Sequence, residues 1–167
     1  AFVNAQVRLM GADFAALAAD RVTQGVFLGA DGWSNIVGGS EEYASAADLE
    51  GCFYDCSFVS ENQNEKVQQF IKAYQDEYKS APTNFCALGY DAAMVLLNGI
   101  KTVEEAGSAK AGSDEYSQAV IDAIAKGQAE GVTGTIKYNG SGDPVKPTLV
   151  ITFKGGKQEV FDTIEAE

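Results

Sequence analysis

Residues 85–107, FCALGYDAAMVLLNGIKTVEEAG, restrict the fold of this chain more than any other stretch. They read as one long helix whose first two-thirds are apolar on nearly every face. A helix without a polar side has to be covered from several directions, so it is expected deep in a core. The chain has 167 residues, of which 46% are hydrophobic and 22% charged. That is room for one domain with one sizeable core. No apolar run reaches the roughly 20 residues that a membrane-spanning helix needs.

The segments ahead of this helix alternate in type. AFVNA reads as a short buried strand, and residues 10–22, MGADFAALAADRV, as a helix with Phe14, Leu17 and Ala18 at helical spacing. VFLGA, residues 26–30, is a second apolar strand. Strand, helix and strand within about 30 residues make a βαβ unit, which implies a parallel sheet and a right-handed crossover. Residues 34–50 are mixed, broken by Gly38 and Gly39, and CFYDCSF at 52–58 is a third strand. SENQN then supplies capping residues for an amphipathic helix over 65–79. Its stripe is Val67, Phe70, Ile71, Tyr74 and Tyr78.

Beyond the long helix, Ser113 or Asp114 can cap a further helix, EYSQAVIDAIAKG, whose final glycine fits a C-terminal stop. The pattern then changes. GTIKY, TLVITF and KQEVFDTI read as strands separated by turns at Asn139-Gly140, Gly142-Asp143 and Gly155-Gly156. This predicts an antiparallel meander after an α/β body.

Composition removes several function classes. There are 24 acidic and 12 basic residues, a formal net charge of -12, and no basic stripe, which excludes nucleic acid as a partner. There is no histidine, so Ser-His-Asp and Cys-His catalysis and imidazole metal sites are absent. Cys52 and Cys56, four apart on a strand, stand about 13 Å from each other, too far for a disulfide. With Cys86 as the only other soft ligand, the three read as small buried hydrophobes. The chain opens AFVNAQVRLM, with neither an initiator methionine nor a signal-peptide pattern. It is expected to start inside a longer or processed protein.

The residues that could carry chemistry sit in VFLGADGWS, residues 26–34. In open α/β sheets ligands bind beyond the carboxyl ends of the parallel strands, and Asp31 is expected there. Gly29 and Gly32 let backbone come close to a ligand, and Trp33 offers a flat wall with one N–H donor. A carboxylate beside an aromatic wall suits an ammonium group. The same spacing also allows a plain structural reading, with Asp31 capping the following turn and Trp33 in the core. A third option is that Asp31 is a Mg²⁺ ligand in a small α/β enzyme. However, G-x-x-x-x-G-K-[ST] is absent, and GGSEEY lacks the lysine. G-x-G-x-x-G after a strand and G-x-S-x-G are absent too. Tyr43, Tyr54, Tyr90 and Tyr116 read as core or surface fillers.

Three stretches carry a family resemblance: FLGADGW, then KVQQFIKAYQDEYKSAPTNFCALGYDAAMVLLNGI, then GVTGTIKYNGSGDPVKPTLVITFKGGK. In order and spacing the chain resembles the C-terminal half of the leucine/isoleucine/valine-binding type of periplasmic solute-binding protein. This is the type I two-lobed fold that serves ABC transporters for branched-chain and related amino acids. FLGADGW is also similar to the equivalent loop in the extracellular domains of metabotropic glutamate receptors. The resemblance implies an α/β fold with parallel Rossmann-like sheets flanked by helices and C-terminal antiparallel strands. Residues 1–57 would close the second lobe, 58–127 would be the closing helices of the first, and 128–167 would return to the second.

By the same resemblance, Asp31 of the G-x-[DE]-G loop binds the ligand's α-ammonium, with Gly32 and Trp33 beside it. The position 24 residues earlier usually holds an aromatic that packs on the ligand. Here it is Val7, next to Gln6, which leaves the ligand's identity open. No stretch matches the first-lobe serine and threonine that usually hold the ligand carboxylate. The implied protein is non-catalytic, without cofactor or metal, and delivers its ligand to a membrane permease. It would lie in the periplasm or on the outer cell face as a lipoprotein, after loss of a signal peptide. A sensor module of the same fold is the alternative. The missing N-terminal half, a second copy by domain swap, or a rearranged packing is expected to cover the apolar 85–100 helix.

Overall fold

The computed structural model describes residues 26–36, 45–140 and 142–165. The strand AFVNA and the helix expected at 10–22, with Gln6 and Val7, lie outside the described residues. The described residues divide into two units. The first runs to Asn84 and takes back Thr148–Ile164; the second is Phe85–Pro147.

The first unit is built on a four-stranded sheet in the order β1-β2-β6-β7. Strand β1 is Leu28–Gly29, β2 is Phe53–Cys56, β6 is Thr148–Lys154 and β7 is Lys157–Ile164. The pair β1–β2 is parallel. Strand β2 alternates with period 2: Tyr54 and Cys56 are buried, while Asp55 is exposed. Tyr54 and Cys56 join Trp33, Leu49, Ile151 and Phe153 in one core cluster. The Tyr54 and Phe153 rings lie 5.8 Å apart, and the Tyr54 hydroxyl donates to Gln158 Oε1. On the other face Phe53 meets Phe161 edge-on at 5.0 Å. Helix α1, Glu65–Tyr78, starts where the Asn64 side chain accepts from the Lys66 amide at 2.9 Å. It buries Val67 and Ile71, and its Phe70 stands edge-on to Phe58.

The second unit holds α2 (Asn84–Ala106), α3 (Asp114–Lys126) and a three-stranded antiparallel sheet. That sheet comprises β3 (Gln128–Glu130), β4 (Thr135–Tyr138) and β5 (Pro144–Val145). The Ser113 side chain caps α3 by accepting from the Tyr116 amide at 3.1 Å. Gly127 ends α3, but at φ -85° rather than in the left-handed region. Its glycine serves space instead: a Cβ there would stand 2.8 Å from the Ala123 carbonyl oxygen.

Two expectations are corrected. GTIKY, TLVITF and KQEVFDTI do not form one meander. GTIKY pairs with the short strands β3 and β5, while TLVITF crosses to pair antiparallel with β2 and carries β7 as its hairpin partner. Nearness in sequence suggested local pairing; β2 offers β6 a longer apolar face. The long helix is also only partly enclosed. Ala87, Asp91 and Val103 are buried, but Tyr90, Leu96 and Leu97 are 44%, 48% and 57% exposed.

At the centre of the second unit is a buried charge. Asp91 is 2% exposed, and its carboxylate accepts from the Val132 amide at 2.7 Å and the Thr133 amide at 2.8 Å. It also accepts from the Thr133 hydroxyl at 2.6 Å. Lys146 Nζ donates to Thr133 Oγ1 at 3.1 Å; burial lowers its ammonium pKa, against the pull of Asp91. Gly131 leaves no space to spare, because a Cβ would come within 2.3 Å of Asp91 Oδ2. Replacing Asp91 by alanine strands two buried amides and should cost about 3 kcal/mol in chemical denaturation. Exchange of the Val132 and Thr133 amides should accelerate in the same variant.

The Cys56 thiol provides a second check. Burial pushes it up to about 11, from an ordinary 9.0, and burial raises Tyr54 as well. Both groups stay neutral in the fold after they ionise in the unfolded chain. Stability is therefore full below the ordinary thiol value and falls as pH climbs towards the folded one, by on the order of 2 kcal/mol for Cys56. Melting curves across that window should show the decline, and Cys56→Ala should flatten its lower part.

Candidate functional site

The candidate site is the turn at the carboxyl end of β1. Ala30 is extended, at φ -107° and ψ -177°, and Asp31–Asn35 form a 3-10 helix. The Trp33 amide donates to the Ala30 carbonyl at 2.8 Å and the Ile36 amide to the Trp33 carbonyl at 2.9 Å. Asp31 is thus the first corner of a closed turn, and its side chain is exposed. It does not cap the helix: the N-cap is Ala30, which has no side-chain cap bond. No hydrogen bond or ion pair holds the Asp31 carboxylate among the described residues.

Trp33 points the other way. It is 5% exposed and belongs to the core cluster. Its indole lies against Gly29, where a Cβ would stand 2.2 Å from Cδ2 and 2.6 Å from Cγ. Its Nε1–H is buried without a partner among the described residues, as is Ser34 Oγ in the same turn. The structure therefore brings Asp31, Gly32 and Trp33 together in one turn but on opposite sides of it.

Sequence reasoning missed a second carboxylate. Gly29 pairs with Tyr54 in the parallel ladder. Asp55 follows Tyr54, and Asp31 lies two residues past Gly29, so both carboxylates stand at the same end of the strand pair. Partial burial raises the Asp55 carboxyl above its ordinary value, and the charge of Asp31 adds to the effect. A charged Asp55 between apolar Tyr54 and Cys56 in CFYDCSF was the signal that could have found it.

The chemistry available is that of an anionic strand end. The thiols of Cys52 and Cys56 are buried, and Cys56 stays protonated at neutral pH, so it is no nucleophile. Among the described residues, no group of three or more Cys, Asp and Glu side chains converges in a way that could hold a metal. Tyr54 is core, Tyr116 donates to Glu104 at 2.6 Å, and Tyr43 lies outside the described residues. In the second unit a groove of about 70 Å³ runs between Val95, Gly99, Ile124, Ile136 and Tyr138. It is far below the roughly 300–1,000 Å³ of ordinary ligand pockets.

The family model for periplasmic binding proteins matches residues 7–157. No curated protein matches. Among solved structures, the chain is similar to the leucine binding protein LivK of Thermotoga maritima, at 25% identity and a TM-score of 0.67. That match covers 92% of this chain and 41% of LivK. It is similar in fold to LivJ of Streptococcus pneumoniae in complex with isoleucine, at 22% identity and 0.70, covering 93% and 41%. A solute-binding protein of R. palustris in complex with benzoate matches at 21% identity and 0.63, covering 93% and 40%. The chain spans about two-fifths of the length of these structures. It belongs to the periplasmic binding protein family, with that family's α/β fold.

Proposed function

We propose that this chain is the C-terminal part of the solute-binding component of an ABC importer, and that Asp31 holds the ammonium group of a branched-chain or related amino acid. The observation that carries this reading is the Asp31 carboxylate itself. It is exposed at the carboxyl end of a parallel strand, beside a second carboxylate and without a protein cation among the described residues. An anionic strand end recruits a positively charged group. The leucine- and isoleucine-binding relatives support an amino acid as that group's bearer.

The protein would perform no chemistry. It would close on its ligand and pass it to a membrane permease from the periplasm or the outer cell face, held there as a lipoprotein in the second case. Val7, by family position, and its neighbour Gln6 would line the proposed ligand site. One relative binds benzoate, an acid with no ammonium. A carboxylate at position 31 would repel such a ligand, which favours the amino acid.

Calorimetric titration of the protein carrying this chain tests the reading, with leucine, isoleucine, valine and benzoate as ligands and no metal added. An amino acid should bind, benzoate should not, and Asp31→Asn should weaken the amino acid by about 2 kcal/mol or more, roughly thirtyfold. Unchanged affinity in that variant would remove Asp31 from the site.

The exposed Leu96 and Leu97 of α2 would be covered by the part of the family fold that the 167 residues do not include. The chain expressed alone should then self-associate through that face. Light scattering should show a shift to monomer in Leu96→Glu/Leu97→Glu, and a monomeric parent chain would count against the covered-face reading.

A further inference from the structure

We infer that Trp33 is a positioning residue: its indole, seated on Gly29, anchors the turn that aims Asp31, and it acts on the ligand only through that carboxylate. This rests on the reading of Asp31 as the ammonium partner and adds how the fold holds it in place.

The turn has four residues and two fixed ends. Its first carbonyl, on Ala30, follows directly on the ladder residue Gly29, which pairs with Tyr54. Its last residue, Trp33, is fixed by burial in the cluster that contains Tyr54, Ile151 and Phe153. Between them Asp31 and Gly32 reach the surface. An aspartate side chain has two torsions and little reach, so the place of its carboxylate is set by the backbone beneath it. That backbone is held at one end by the strand ladder and at the other by the buried ring.

Gly29 is the socket. A Cβ there would fall 2.2 Å from Cδ2, 2.6 Å from Cγ and 2.6 Å from Cε2, all at the rooted part of the indole and not at a free tip. The ring cannot shift by a few tenths of an ångström to admit a methyl; it has to leave. The indole N–H makes no hydrogen bond among the described residues, so the anchor works by shape and apolar burial. A phenyl ring should therefore replace it, and a methyl should not.

Three variants and one pair test this. Trp33 is the single tryptophan of the chain, so its emission reports its own burial. In Gly29→Ala the emission should move to the red and the Trp33 and Ile36 amides should exchange faster, while the Tyr54 and Ile151 amides stay protected. Unchanged emission and exchange would overturn the anchor whether or not any ligand is known. In the complete protein, Gly29→Ala and Trp33→Ala should weaken leucine binding about tenfold. Trp33→Phe should restore most of that affinity.

In the Asp31→Asn background, Trp33→Ala should add almost nothing, because both changes remove one interaction. Losses that multiply, or Trp33→Phe as weak as Trp33→Ala, would show that the indole touches the ligand itself and overturn the inference. Failure of the underlying reading looks different: Asp31→Asn alone would then leave leucine binding intact.

Discussion

Strand β2 is paired on both edges, and the candidate site depends on that. Phe53–Cys56 runs parallel to Leu28–Gly29 on one side and antiparallel to Leu149–Thr152 on the other. The second pairing closes a loop of about a hundred residues, which is costly in chain entropy and has to be repaid by burial. Tyr54, Cys56, Ile151 and Phe153, all nearly inaccessible, are that burial. A two-residue strand such as β1 has little stability of its own. It holds its register because β2 is fixed from behind, and the position of Asp31 follows from that register.

The second unit rests on an interaction of opposite character. A buried carboxylate is unfavourable by several kcal/mol unless its lone pairs are met. Asp91 meets three donors, two of them backbone amides of one short turn. The amides of Val132 and Thr133 need an acceptor as much as the carboxylate needs donors. Each side makes the other's burial tolerable, and the turn after β3 can take only the shape in which both amides converge. Gly131 and Gly134 supply that shape, the first by lacking a Cβ and the second through φ 111°.

Much of this was legible in the residues. The three helices were readable to within a residue at most ends, because amphipathic stripes and the Asn64 and Ser113 caps are local signals. The hairpin at Gly155-Gly156 was local as well. What escaped was non-local or very short. Pro144–Val145 and Gln128–Glu130 are too brief for period 2 to show. The partner of TLVITF is a strand nearly a hundred residues away that no turn residue announces. At the site, strand and glycine spacing placed Asp31. The side on which Trp33 sits was not legible, since an indole suits a ligand wall and a core equally well. Its burial and its seat on Gly29 decide between them. The role of Asp91 has no local signal, because its donors lie 41 and 42 positions away.

The exposure of Asp31 has an energetic consequence for any cleft that closes over it. In water an unpaired carboxylate is solvated and carries no penalty. Once water is expelled it loses that solvation, and an unpaired buried charge is strongly unfavourable. A neighbouring Asp55 makes the loss worse, since two like charges then share a drier space. Closure over Asp31 would then be favourable only with a ligand that brings a positive group to that end of the strands. Selectivity of this kind works chiefly by rejection: a ligand without an ammonium leaves the carboxylate stranded, and such mismatches discriminate far more sharply than one methylene more or less. The fold would then choose its ligand class through the electrostatics of two strand ends. The choice among apolar side chains would fall to walls built elsewhere.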